Sequence, residues 1–266
     1  MSSEFVASVG ECEASMEREE QDQPDSTTCD KEDLAMGGQD KANGGQIQLL
    51  TNQKQQIISN LVIWQEEHAS YYAEELSAIT PFPSDDDPMY SVKSALHIVE
   101  ITSLTVRLIA EFCRRVPGFD TISREDQTIM TKACSTEIYL LWTSRRYDME
   151  TDSTTTPYNE RFTREDYRRS PAGNSVDLLF DFYRTMNILK VDDAEYALLA
   201  AILIFSERPS LLEPEKVEKQ QEFYIEILKS YIATSRPDDE DYFSKLHSLL
   251  PEIRILGEMK TELRSL

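Results

Sequence analysis

The sequence predicts an all-α protein, and three observations carry that prediction. Five of the eight glycines (Gly10, Gly37, Gly38, Gly44, Gly45) fall before residue 49, leaving only Gly118, Gly173 and Gly257 for the rest of the chain. A β-rich domain of that size needs more turn glycines. Apolar residues after position 49 recur at helical spacing, and recognisable helix starts and stops bound those runs.

Residues 1–48 carry twelve acidic and three basic side chains and one aromatic, Phe5. Such a segment buries too little apolar surface to offset chain entropy, so a disordered acidic tail is expected over 1–48 and a folded body over 49–266. The first helix is marked by Ile57, Ile58, Leu61, Val62 and Trp64, and a longer one by Leu96, Val99, Leu104, Leu108 and Phe112. The latter ends at Arg114–Arg115 before Pro117–Gly118, with cations suited to a helix C-terminus and proline as the stop. Ser123, followed by Glu125 and Asp126, caps the next helix, which runs through Ile129, Met130, Ile138, Leu140 and Leu141.

The stretch from Asp148 to Tyr167 is Thr-rich and aperiodic, with Pro157, and is the one place for a small β-hairpin or a long loop. Pro81, Pro83 and Pro88 around Asp85–Asp87 mark a second irregular connection. Asp192 and Glu195 form a capping-box pattern before Tyr196–Phe205, a run apolar all round and therefore central. Two amphipathic helices, Glu215–Ile232 and Tyr242 to about Gly257, complete the body.

The net charge of −22 opposes direct DNA or RNA binding and docking on anionic membranes. Cys12, Cys29, Cys113 and Cys134 have no metal-ligand spacing, so no metal site is expected. No signal peptide is read, and the longest apolar run, ten residues, is about half a membrane span, so a soluble protein of a reducing compartment is expected. There is no phosphate loop, nucleophile elbow or zinc-protease motif, and His68, His97 and His247 are scattered. The chain is therefore not expected to be an enzyme. His97 reads as a structural hydrogen-bonding group, and Glu66–Glu67 and Glu74–Glu75 as solvated faces.

The segments Glu111-Phe-Cys-Arg-Arg-Val-Pro-Gly-Phe119, Ser123-Arg-Glu-Asp-Gln127 and Ser144-Arg-Arg-Tyr147 together resemble the ligand-binding domain of nuclear hormone receptors. Tyr196-Ala-Leu-Leu199, Phe205-Ser-Glu-Arg-Pro209 and Glu252-Ile-Arg-Ile-Leu-Gly257 extend that likeness. Within the family the pattern is most similar to the ecdysone receptor group of arthropods, with liver X and farnesoid receptors as relatives. The resemblance implies a three-layer antiparallel α-helical sandwich with a small β-hairpin.

It also implies a non-enzymatic, ligand-regulated transcription regulator of the nucleus (the cytoplasm being a second compartment) that takes no cofactor other than a lipophilic sterol- or ecdysteroid-like ligand. The implied partner is a retinoid X/ultraspiracle-type receptor.

By resemblance the ligand-facing residues are Glu100, Thr102, Thr105, Trp142, Arg146 and Tyr167. Thr102 and Thr105, three apart on a helix, share one face; the bland reading makes them back-bonded helix threonines, and Glu100–Arg146 a buried ion pair. Trp142 stands where ecdysone receptors carry an arginine, and Pro157 where they use a backbone donor, which proline lacks. Lys260 falls at a further polar ligand position. Losing two polar partners, each worth about 1–3 kcal/mol, leaves a less polar sterol-type ligand, or none, as the alternatives.

Arg114 and Lys132 are implied to line a coregulator groove, Glu137 and Arg208 to form a structural salt bridge, and Leu246, Leu249, Leu250 and Ile253 to face a dimer partner. A DNA-binding domain and an activation helix are expected to be missing from the chain, so that LxxLL coregulators bind weakly or not at all. The alternative reading is a ligandless dimerisation module that competes with full-length receptors.

Overall fold

The computed structural model describes residues 50–76, 78–81, 83, 86–155, 161–168 and 175–265. The acidic tail over 1–48 and Pro157 lie outside the described residues. Nine α-helices are described: α1 (Asn52–Leu76), α2 (Tyr90–Arg115), α3 (Arg124–Ser144), α4 (Arg164–Arg168), α5 (Val176–Ile188), α6 (Asp193–Ile204), α7 (Pro214–Ser235), α8 (Tyr242–His247) and α9 (Leu249–Ser265). A single 3-10 turn, Phe119–Thr121, links α2 to α3.

The layers follow from which helices are apolar on which sides. Every residue of α6 from Ala194 to Ile204 is buried, so this helix needs neighbours all round. It has them: α1 on one side, α7 on the other, and α3 beside it. The central α3 packs on α2 at one face and on α9 at the other. Helices α1 and α2 form one outer layer, α3 and α6 the middle, and α7 and α9 the second outer layer, the arrangement of a three-layer helical sandwich.

The caps act where the sequence places them. The Ser123 hydroxyl accepts from Asp126 N at 3.1 Å. At α6 the capping box is complete: Asp192 accepts from Glu195 N at 2.9 Å, and Glu195 accepts from Asp192 N at 2.8 Å. The α2 helix ends at Arg114–Arg115 as expected, and Gly118 follows at φ +91°, a conformation that side chains with a Cβ rarely adopt.

The details differ from expectation at three places. The Thr-rich stretch forms a three-stranded antiparallel sheet, β1 (Tyr147–Asp148), β2 (Ser153–Thr155) and β3 (Arg161–Thr163), with Tyr147 opposite Thr154 and Thr154 opposite Phe162. The helix expected over Tyr242–Gly257 is two helices, α8 and α9. Pro251 lacks the N–H that would bond the His247 carbonyl, so a continuous ladder is broken there. Helix α5 was not anticipated, although Val176, Leu179, Phe180 and Tyr183 sit at helical spacing and are all buried.

Candidate ligand-binding site

The residues implied to face a ligand are spread over α2, the end of α3, the turn before the sheet and α4, and Tyr167 packs on the sheet and α5. Positions 100, 102 and 105 lie near the middle of α2. The Thr105 hydroxyl donates to the Ile101 carbonyl at 2.8 Å, the back-bonded arrangement available to any helical threonine. Glu100 accepts from Thr80 twice, from its N–H at 2.8 Å and from its hydroxyl at 3.3 Å. His97 Nδ1 lies 2.6 Å from the Thr80 carbonyl, so one segment of the α1–α2 connection is held on three of its polar atoms. The side chains of Thr102 and Lys260 are outside the described residues.

Trp142, near the end of α3, sits edge-on to Phe112 with ring centroids 5.6 Å apart. Its indole nitrogen is buried and has no hydrogen-bond acceptor. Tyr167 from α4 packs edge-on against Phe180 at 5.4 Å and Phe162 at 6.3 Å. Burial pushes its phenol well up, and the Tyr139 phenol adds to that, so it stays protonated. Tyr183 from α5 is fully buried, with its hydroxyl beside that of Thr143.

Arg164 holds this end of the body together. Its guanidinium meets Asp152 at 2.7 Å and Asp177 at 2.9 Å, and lies over the Phe180 ring. The Arg164 contact keeps the Asp152 carboxyl below the usual range. Tyr147 donates to the same carboxylate at 2.6 Å; burial first, then that bond, push its phenol up to about 12.

The structure brings some of the implied residues together and separates others. Glu137 and Arg208 form a bidentate pair, Nη1 to Oε1 at 2.8 Å and Nη2 to Oε2 at 2.7 Å, with the side chains 3% and 9% exposed. Glu100 is engaged by Thr80, while Arg146 is exposed in the turn after α3, so the buried Glu100–Arg146 pair is not what the structure shows. Arg114 and Lys132 are exposed at the end of α2 and on α3.

The leucine stripe implied to face a partner points inward instead: Leu246, Leu249 and Ile253 are buried in the core, and Leu250 is half-buried. Helix α9 has to cover α3, and that duty uses its apolar face; Ile255, 53% exposed, is what it presents outward.

Sequence reasoning missed Tyr139 and Tyr183. Tyr139 was legible as the residue one turn before Trp142 on the same face; Tyr183 belongs to the helix that went unread. It also missed a buried network at the far end. There Glu195 receives Arg236 Nε at 2.8 Å and the Tyr242 hydroxyl at 2.8 Å, and Asp192 receives the Tyr231 hydroxyl at 2.9 Å. Only the capping-box half of that network has a local signal.

A fold of this layering, with its polar and aromatic lining beside a small sheet, is that of a receptor ligand-binding domain. Residues 88–265 match the family model for the ligand-binding domain of nuclear hormone receptor, and the chain belongs to that family.

Its curated relatives include ecdysone receptors. That of Lucilia cuprina is 40% identical over 210 residues, covering 78% of this chain and 28% of the relative. That of Drosophila melanogaster is 38% identical over 226 residues, 84% of this chain and 26% of the relative. That of Heliothis virescens is 39% identical over 211 residues, 78% of this chain and 36% of the relative. The chain is thus ecdysone receptor-like, and it spans roughly a quarter to two-fifths of the length of the relatives it matches.

Proposed function

We propose that the chain is the ligand-regulated part of a transcription regulator of the nucleus, taking a lipophilic sterol-type ligand and pairing with a retinoid X/ultraspiracle-type receptor. The observation that supports this most is the family match over 88–265 combined with similarity to ecdysone receptors over about four-fifths of the chain. The ligand would lie against Thr102 and Thr105 on α2, Trp142 on α3 and Tyr167 on α4, with Glu100 available only after release from Thr80 and Arg146 at the rim. Arg114 and Lys132 would form the cationic edge of a coregulator groove that caps an LxxLL helix.

Pairing would use the outward face of α7 and α9, with Ile255 as an apolar contact. Gel filtration with a purified retinoid X receptor ligand-binding domain tests it. Co-elution at micromolar concentration, lost on Ile255→Asp, is the expected result; separate elution overturns the pairing.

A second reading has its own support. Trp142 and the phenols of Tyr167 and Tyr183 occupy the interior near the sheet, and Glu100 is already engaged. A core filled this way suits a ligand-independent dimerisation module, which would pair equally well in ligand-stripped preparations.

A further inference from the structure

Two thiols face each other inside the body. Cys113, in the last turn of α2, and Cys134, in the middle of α3, are both fully buried, and their sulfurs lie 3.9 Å apart. They stand 21 residues apart in the chain, on helices that pack against each other, so the fold itself holds the approach. A disulfide places its sulfurs about 2.05 Å apart. Closure therefore asks for a movement of about 2 Å, within reach of side-chain rotation and a small helix shift. The only other contact of the Cys134 sulfur given up is a weak one, 3.6 Å to the Thr131 carbonyl. Among the described residues, no His, Asp or Glu joins the two thiols in a metal-binding group.

The Cys113 thiol, and then burial, push the Cys134 thiol well up, so in the closed fold it stays protonated and unreactive. Reaction therefore waits on a local opening. The edge that opens is close by: α2 ends at Arg115, and the chain turns through Gly118 and the 3-10 turn before re-entering α3. Arg114 and Lys132 emerge, exposed, from the same two helix segments.

We propose that Cys113 and Cys134 are a redox pair whose disulfide braces α2 against α3, with hydrogen peroxide as the oxidant. One thiolate attacks a peroxide oxygen; the O–O bond breaks, giving a sulfenic acid and water. The second thiol attacks that sulfur; the S–S bond forms, the S–O bond breaks, and the departing hydroxide takes the second thiol proton as water. Two thiols lose two electrons and two protons, and one peroxide becomes two waters. A dithiol reductant reverses the change. The bond closes a loop around the turn at Gly118 and restricts the unfolded chain, so the oxidised form is the more stable one.

The test uses the full 266-residue chain carrying Cys12→Ser and Cys29→Ser, which leaves only this pair. It is treated with hydrogen peroxide in urea well below the unfolding transition. The expected product has lost two hydrogens, yields one crosslinked peptide joining positions 113 and 134, and returns to the dithiol with dithiothreitol. It should melt at a higher temperature, exchange amide hydrogens more slowly from Cys113 to Ser123, and form faster as urea is raised. With Cys113→Ser added, the intramolecular crosslink should vanish and a sulfenic acid at Cys134 should be trapped by dimedone.

Survival of both thiols, added oxygens without a crosslink, or crosslinks only between molecules each overturns the redox pair. A crosslinked form that melts at a lower temperature overturns the brace.

Discussion

Gly257 stands directly against Glu137: a Cβ built at 257 would lie 2.9 Å from Glu137 Cγ. Real carbon atoms do not approach that closely, so α9 sits against α3 at this point only because residue 257 has no side chain. The carbon it would strike belongs to a carboxylate held bidentately by Arg208, so it cannot swing aside without breaking that pair.

Gly257→Ala is therefore expected to lower stability, although alanine is the better helix former by about 1 kcal/mol. Overpacking costs typically about 1–3 kcal/mol, and here it also strains a buried ion pair. Thermal unfolding monitored by circular dichroism checks it; a raised melting temperature would mean that the two helices separate more easily than the contact implies.

Glu137→Ala and Arg208→Ala should each cost about 3–5 kcal/mol, because each leaves one charge buried alone. The double substitution to Leu and Met should cost less than either alone, since it removes both charges and fills the space. Urea denaturation of the four species makes a complete cycle, and additive losses would show that the two residues act separately.

Asp126 is fully buried and accepts from Leu212 N at 2.7 Å and Glu213 N at 3.0 Å. It thereby satisfies backbone donors just ahead of α7, 86 residues further along the chain. Asp126→Ala should destabilise by about 1–3 kcal/mol, leaving the part-buried Leu212 and Glu213 N–H groups without their acceptor. Hydrogen exchange at Leu212 and Glu213 should accelerate more than at the middle of α7. Uniform acceleration would point to a general loss of stability.

Alkaline pH should unfold the protein through its tyrosines. Burial pushes the Tyr147 phenol up to about 12, and those of Tyr167, Tyr183, Tyr196, Tyr224, Tyr231 and Tyr242 are also raised. An unfolded tyrosine releases its proton near pH 10 while the folded ones still hold theirs. The unfolded state then binds fewer protons, so this contribution is constant below about pH 10 and declines above it. Unfolding followed from pH 8 to 11.5 checks the sign; stability that rises through that range would contradict it.

The helices were legible where a local rule fixes both ends. Ser123 and the Asp192–Glu195 pair are caps readable within four residues, and the apolar belt of α6 states its own central position. What escaped was set by partners distant in sequence. Asp126 reads as an ordinary first-turn acid until Leu212 and Glu213 come to it, and Arg236 and Tyr242 reach Glu195 from 41 and 47 residues away. The stripe on α8 and α9 was read at the right spacing, but periodicity says only that a face is covered. Whether the body or a second protein covers it is a tertiary fact, and here α7 packs on α8 and α3 on α9. In the candidate site, Trp142 and Tyr167 were found by resemblance, while Tyr183 needed the unread α5.

Native mass spectrometry of the purified chain, incubated with progesterone and with 20-hydroxyecdysone, tests the central claim that this domain receives a lipophilic ligand. The expected result is a single one-to-one steroid adduct with progesterone, preserved under gentle desolvation and abolished when Thr105 on α2 is replaced by Trp to fill the site. A folded, heterodimer-competent protein that shows no adduct with either steroid would contradict it.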